Sequence, residues 1–335
     1  MAGRKDIGGT QACKKVRINA LADDIQNKHC DRMKFDAVLI AGPTASGKSA
    51  QALALAEEIG GVVINADSMQ VYREAPILTA QPSDADKARL PHLLYGHVSA
   101  EQVYSVGSWR DDAIAALKQA QDMDRTPVFV GGTGLYFMAL TEGLAEVPPT
   151  PPEIRDAARA LLDDIGVEAL HAKLTDRDPL TASRLRATDP QRVLRAFEVF
   201  EATGRPLAEW QSAPAEPVLK HKKIAAFVLD PPRPQLRAQI AARFEAMVDQ
   251  GGVEEAGKLA GLDPGLPAAK LLGLRPLQAL AAGTLTRAEA LDAAITATRQ
   301  FAKRQMTWFR HRMPHYIWFD PVISNLITQF RQNSA

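Results

Sequence analysis

Ala41-Gly42-Pro43-Thr44-Ala45-Ser46-Gly47-Lys48-Ser49 fits Gly-x-x-x-x-Gly-Lys-Ser/Thr at every position. The apolar run Phe35-Asp36-Ala37-Val38-Leu39-Ile40 ahead of it reads as a buried strand. Behind it, Ala50 to Ile59 is rich in helix formers and stops at Gly60-Gly61. Strand, glycine loop and helix together form the setting in which backbone N–H groups and a helix N-terminus cradle phosphates. Gly42, Pro43, Thr44, Ala45, Ser46, Gly47, Lys48 and Ser49 are therefore expected to hold a diphosphate. Lys48 would neutralise phosphate oxygens, and the Ser49 hydroxyl would hold a magnesium ion. The competing reading is a Gly-rich turn without a ligand, and the loop alone leaves the phosphate compound open.

Working outward, 335 residues suffice for one large domain or two modest ones. Hydrophobic residues make up 46% and charged residues 24%, an ordinary globular balance with apolar surface enough for a core. No apolar run reaches the length of a membrane span, so no membrane partner is expected. The net charge of +1 means that nucleic-acid binding would have to come from local basic patches. Cys13 and Cys30, the two cysteines, lie upstream of the loop, which excludes a zinc site or disulfide framework in the body and suits a reducing, cytoplasmic setting. Residues 1–34 lack periodicity and read as a disordered extension, neither transit nor signal peptide; Met33 is an alternative start.

Further along, the strand-like Gly61–Ala66 ends in Asp67-Ser68, placing a carboxylate at the strand's carboxyl edge, where an open parallel sheet holds its ligand. Asp67 serves there as a base or metal partner, or as a helix N-cap. Pro127 to Phe137 is a second strand, glycine loop and helix, with Thr133 placed for hydroxyl contact. His92 and His97 have no neighbours at metal-ligand spacing. Pro148 to Pro152 reads as a stiff linker, and the chain to residue 212 is helical. Arg155 and Arg159 fall one turn apart. Asp189-Pro190 reads as N-cap and first helical position. In the helix that follows, Val193, Phe197 and Phe200 form the buried stripe, leaving Gln191, Arg192 and Arg195 either to solvent or to RNA phosphates.

After a second break at Ser212–Pro217 comes a strand at Ile224–Leu229. Asp230 ends it in the manner of a Walker B acid, but Pro231-Pro232 follows at once and argues against that role. Ala297 to Arg310 is a basic helix with interleaved aromatics, and Tyr316–Phe319 is a final strand. The expected architecture is α/β: a P-loop NTPase-like parallel sheet core from residues 35–147 and 213–320, an all-helical insertion at 148–212, and a C-terminal tail at 321–335.

Five blocks in order resemble the bacterial tRNA dimethylallyltransferase family. They are Gly-Pro-Thr-Ala-Ser-Gly-Lys-Ser from Gly42, Asn-Ala-Asp-Ser-Met-Gln-Val-Tyr from Asn65, Val-Gly-Gly-Thr-Gly-Leu-Tyr from Val130, Asp-Pro-Gln-Arg-Val-Leu-Arg-Ala from Asp189 and Ala-Lys-Arg-Gln-Met-Thr-Trp-Phe-Arg from Ala302. The resemblance implies transfer of a dimethylallyl group from dimethylallyl diphosphate to N6 of the adenosine 3′ to the anticodon, with Mg²⁺; apart from it, a monomer is expected. The resemblance also implies catalytic roles for Asp67 as general base and for Lys48 and Thr44 at the donor, with Arg304 as a further phosphate contact. By the same resemblance, Asp67, Ser68, Met69, Gln70, Thr133, Arg155, Gln191, Arg192, Val193, Leu194 and Arg195 contact the tRNA, and the helical insertion closes over the anticodon stem-loop. Where the family shows Gly-Tyr-Arg, this chain has Gly273-Leu274-Arg275, with no aromatic to stack.

Three rival readings remain. A P-loop kinase would want a convincing Walker B acid, and the Gln191–Arg195 block has no place in it. An isopentenyltransferase of free adenine nucleotides would not need a second domain to grip its acceptor. A non-enzymatic RNA-binding module leaves the loop and Asp67 unexplained.

Overall fold

In the computed structural model the described residues are 35–213 and 215–334, so the extension 1–34, with Met33 and both cysteines, lies outside the described residues. The described residues divide into two compact units, one made of 35–137 and 221–334, the other lying within Met138–Lys220.

The first unit is built on β1 (Ala37–Ala41), β2 (Gly61–Asn65), β3 (His92–Leu93), β4 (Thr126–Gly131), β5 (Ile224–Leu229) and β6 (Ile317–Phe319). Among the described residues these strands form one sheet in the order β3-β2-β4-β1-β5-β6, with every pairing parallel. β1, β2 and β4 are buried along their whole length, which is why they read as continuous apolar runs rather than alternating ones. Alternation still sorts their side chains. Val38, Ile40, Val63, Val128 and Val130 share one core with Leu53, Leu55 and Ile59 of the helix Lys48–Ile59. On the other face, Trp109 of the helix Val106–Asp122 stacks on Tyr136 at 4.0 Å and meets Phe129 edge-on. From β1 the chain runs to β2 on one side, and from β5 to β6 on the other. Strand order thus reverses beside the carboxyl end of β1, the place where such sheets hold ligands.

Within the stretch 321–335, expected as a tail, the described residues 321–334 are instead part of this unit. The helix Leu326–Ser334 packs Leu326 and Phe330, one turn apart, into the core shared with the helix Lys48–Ile59. Gln51 Oε1 accepts from Leu326 N at 2.9 Å, and the Phe330 ring lies 5.4 Å from Phe35.

In the second unit no strand occurs among the described residues. Its core is Ala158, Leu170, Leu174, Ala182, Val193, Ala196 and Phe197. Phe200 sits at the rim of the stripe, its place inside taken by Ala196. The unit reaches beyond the proline stretches on both sides because its two connecting segments hydrogen-bond to each other: Ala215 N donates to Leu144 O at 2.7 Å and Leu219 N to Leu140 O at 2.8 Å. Pro151 and Pro152 are the N-cap and first turn of the helix Pro152–Arg177, which breaks at Gly166 (φ 78°, ψ 168°).

Candidate active site

The loop after β1 turns into its helix through Gly47, whose φ of 80° lies in the left-handed region. It lines a cavity of about 260 Å³ together with Asp67, Met69, Gln70, Arg243 and Phe301. Lys48 is buried, donates from Nζ to Pro43 O at 3.3 Å, and has its pKa pulled down to about 8, chiefly by burial and against the attraction of Asp67. Arg243, half-buried on the helix Arg233–Asp249, donates to Thr44 Oγ1 at 3.2 Å and to Thr79 O at 3.3 Å. Burial also holds its guanidinium below the usual arginine range. Among the described residues neither cation is ion-paired to a carboxylate. Ser46 Oγ, in the same loop, is buried with no hydrogen-bond partner among them. Desolvated cations and an unsatisfied hydroxyl around one cavity make a site whose chemistry suits a phosphate group.

Asp67 reaches the cavity half-buried at the carboxyl end of β2. Of its sequence readings the cap holds in part: Oδ1 accepts from Met69 N at 3.0 Å, but in a local turn with no helix starting there. Oδ2 faces Gly132, within 3.0 Å of where a Cβ would stand. The backbone of Asp67 is held by Asn65, which accepts from its N–H at 2.8 Å and donates to its carbonyl at 2.9 Å. Ser68 and Thr133 face one another: Thr133 Oγ1 accepts from Ser68 N at 2.9 Å and donates to Ser68 Oγ at 3.1 Å. Gln70 is buried, and its amide donates to Thr79 O and Ala80 O, so its carbonyl is what it can offer a ligand. Thr44 N donates to Gln305 Oε1, leaving the Thr44 hydroxyl as its polar group toward the cavity.

One expectation from the resemblance changes here. Arg304 does not line the cavity; it is exposed, over the Phe301 ring at 5.8 Å. The buried face of the helix Arg287–Arg312 carries Thr298, Ala302, Gln305 and Phe309, and one residue's rotation puts Arg304 off that face. The cavity's second cation is Arg243, which falls on the buried stripe Ile240, Phe244, Met247 and shows there as a charge at an apolar position. Arg310 pairs with Asp230 at 3.3 Å, so that carboxylate is occupied.

In the second unit Arg155 and Arg195 converge on Thr150, with Arg155 donating to its carbonyl at 3.4 Å and Arg195 to its hydroxyl at 2.9 Å. Glu198, buried beside them, lies 3.7 Å from Arg195; burial pushes its carboxyl up while Arg195, Arg155 and Arg159 pull it down. Gln191 and Arg192 are exposed. Val193 is corrected: it is fully buried in the helical core, so its side chain is not an RNA contact, while Leu194 packs against that core half-buried. Asp189 caps that helix by accepting from Arg192 N at 3.1 Å.

The donors present suit magnesium. The Ser49 hydroxyl is exposed at the cavity and Asp67 lies on the same cavity, so hard oxygen ligands fit an ion that keeps waters and binds phosphate. No group of three or more His, Cys, Asp or Glu able to hold a metal occurs among the described residues. His97 pairs with Asp112 at 3.1 Å and Tyr104 at 3.2 Å. No described helix is long and apolar enough to cross a membrane.

Comparison with known proteins gives a family match described as IPP transferase over residues 70–312, more than half of the chain, and one described as isopentenyl transferase over residues 35–93. The chain is similar to a tRNA dimethylallyltransferase of Bradyrhizobium sp. (strain ORS 278), 52% identical over 287 residues, covering 85% of this chain and 93% of that one. It is similar in structure to a tRNA isopentenylpyrophosphate transferase of Bacillus halodurans, with TM-score 0.61, 30% identity, and 89% and 94% of the two chains covered. A eukaryotic dimethylallyltransferase acting on tRNA shares the fold with TM-score 0.72 at 23% identity, over 89% of this chain and 76% of that one.

Proposed function

The chain belongs to the IPP transferase family, and from that premise we propose that it moves a dimethylallyl group from dimethylallyl diphosphate to N6 of the adenosine 3′ to the anticodon in tRNA, releasing diphosphate. It is an enzyme that prenylates tRNA. The observation that carries the donor assignment is the pair of unneutralised cations, Lys48 and Arg243, on the cavity that Asp67 also lines.

In the reaction the donor's C1–O bond breaks and its electron pair leaves with the diphosphate, while N6 of adenine forms the new bond to C1. Lys48, Arg243 and the Thr44 hydroxyl stabilise the charge growing on the departing oxygen, in a setting where desolvation strengthens each contact. The exocyclic amine is a poor nucleophile, and Asp67 Oδ2 takes its proton as the bond forms. Magnesium, held by Ser49, would neutralise diphosphate charge. The adenine must leave its stack to reach the cavity. Arg155, Arg195, Gln191 and Arg192 supply the helical unit's contacts to the phosphates of the anticodon stem-loop. The enzyme acts as a monomer in the cytoplasm, where its substrate is. A kinase reading is not favoured, because Asp230 is paired with Arg310.

Labelled dimethylallyl diphosphate, Mg²⁺ and unmodified tRNA, run beside Asp67→Ala and beside AMP as acceptor, test this reading. It requires label in tRNA, none in AMP, and loss with Asp67→Ala. Label in AMP alone would assign a nucleotide prenyltransferase instead.

A further inference from the structure

Gln305 lies in the basic, aromatic stretch of the helix Arg287–Arg312, yet its side chain is only 6% exposed. Oε1 accepts from Thr44 N in the phosphate loop at 2.9 Å, and Nε2 donates to Gly132 O in the second glycine loop at 2.9 Å. A Cβ on Gly132 would stand 2.2 Å from Gln305 Nε2 and 3.0 Å from Asp67 Oδ2, so amide and carboxylate flank the same point of backbone. Glycine is required at 132 for that close approach. One side chain therefore ties the loop that seats the leaving group to the loop against which the base is set. An amide makes both bonds at once; a carboxylate lacks the donor and an ammonium lacks the acceptor.

We propose that Gln305 is a positioning residue for prenyl transfer: it holds Thr44 and the phosphate loop at a fixed distance from Gly132 and Asp67, so that leaving group and base act on one geometry. The proposal rests on the reading of Asp67 as base and of the loop as the diphosphate seat. Gln305 itself touches neither donor nor acceptor. Its loss therefore acts on the transfer step, where a shift of about 1 Å costs about 10²-fold, rather than on donor affinity.

The test measures single-turnover transfer to tRNA, the dissociation constant for dimethylallyl diphosphate, and the melting temperature, for Gln305→Met and Gly132→Ala. The first removes both bonds at nearly constant volume; the second drives the amide away with Gln305 still present. Each is expected to slow transfer by about 30- to 100-fold with donor affinity within about 3-fold. The double variant should be no slower than the worse single one, because both break the same tie. Transfer within about 3-fold of wild type, donor affinity falling as much as the rate, or two effects that multiply would each overturn the proposal. So would loss of the folded state in both single variants, which would make the contact structural. Asp67→Asn runs alongside. If that variant transfers within about 10-fold of wild type, the base reading fails on its own, whatever the Gln305 variants do.

Discussion

Lys48→Met should make the free enzyme more stable while removing its function. The Lys48 ammonium is buried, its pKa lowered from 10.5 to about 8, mainly by desolvation. A tenfold loss of proton affinity is worth about 1.4 kcal/mol, so holding the charge inside costs the fold about 3 kcal/mol near pH 7. The unfolded chain binds this proton more tightly, so the cost is full below about pH 8 and fades as pH rises toward 10.5, reaching about 1.4 kcal/mol near pH 9.5. Methionine keeps most of the apolar stem and removes the charge, at the loss of the bond to Pro43 O. The variant should gain about 1–3 kcal/mol near pH 7 and about 2 kcal/mol less than that near pH 9.5. Urea unfolding of the ligand-free protein, followed by tryptophan fluorescence at both pH values, measures this, and repeating it with inorganic diphosphate adds a second arm. Wild type should be stabilised by the anion, and the variant should not. A variant less stable than wild type at both pH values, or a difference that does not change with pH, would refute the idea that Lys48 waits desolvated for an anion.

Arg243→Met should weaken dimethylallyl diphosphate binding by about 1.5–3 kcal/mol, the worth of a hydrogen bond to a charged group, as read by calorimetry. Arg195→Met should raise the KM for tRNA and lower the slope of log K against log salt by about 1, with transfer at saturating tRNA little changed. Phe330→Ala, deleting a buried ring of the core beneath the sheet, should cost about 3–5 kcal/mol in unfolding experiments and leave KM for both substrates in place.

What the chain revealed in advance was local in origin. The strand, glycine loop and helix around Lys48 are contiguous, and each part carries its own signal, from the apolar run of β1 to the glycine with positive φ. The same holds for Asp67 at the end of β2 and for the Asp189 cap. Arg243 and Gln305 were missed because their roles arise where segments far apart in the chain pack together, from the 164-residue separation of Arg243 from Thr79 to the 261-residue separation of Gln305 from Thr44. Spacing within a helix does not report on that. A trace was present for Arg243, a charge on an otherwise buried stripe, and for Leu326 and Phe330, an apolar pair one turn apart in a supposed tail. Val193 shows the reverse case: a recognition block taken whole includes the residues that hold its helix down.

The most direct test of the account is mass spectrometry of nucleosides and oligonucleotides from unmodified tRNA after incubation with the enzyme, dimethylallyl diphosphate and Mg²⁺. The account predicts a gain of one C5H8 unit on the adenosine 3′ to the anticodon, abolished by Lys48→Met and by Asp67→Asn. Unmodified tRNA, or the added unit at another nucleotide, would contradict it.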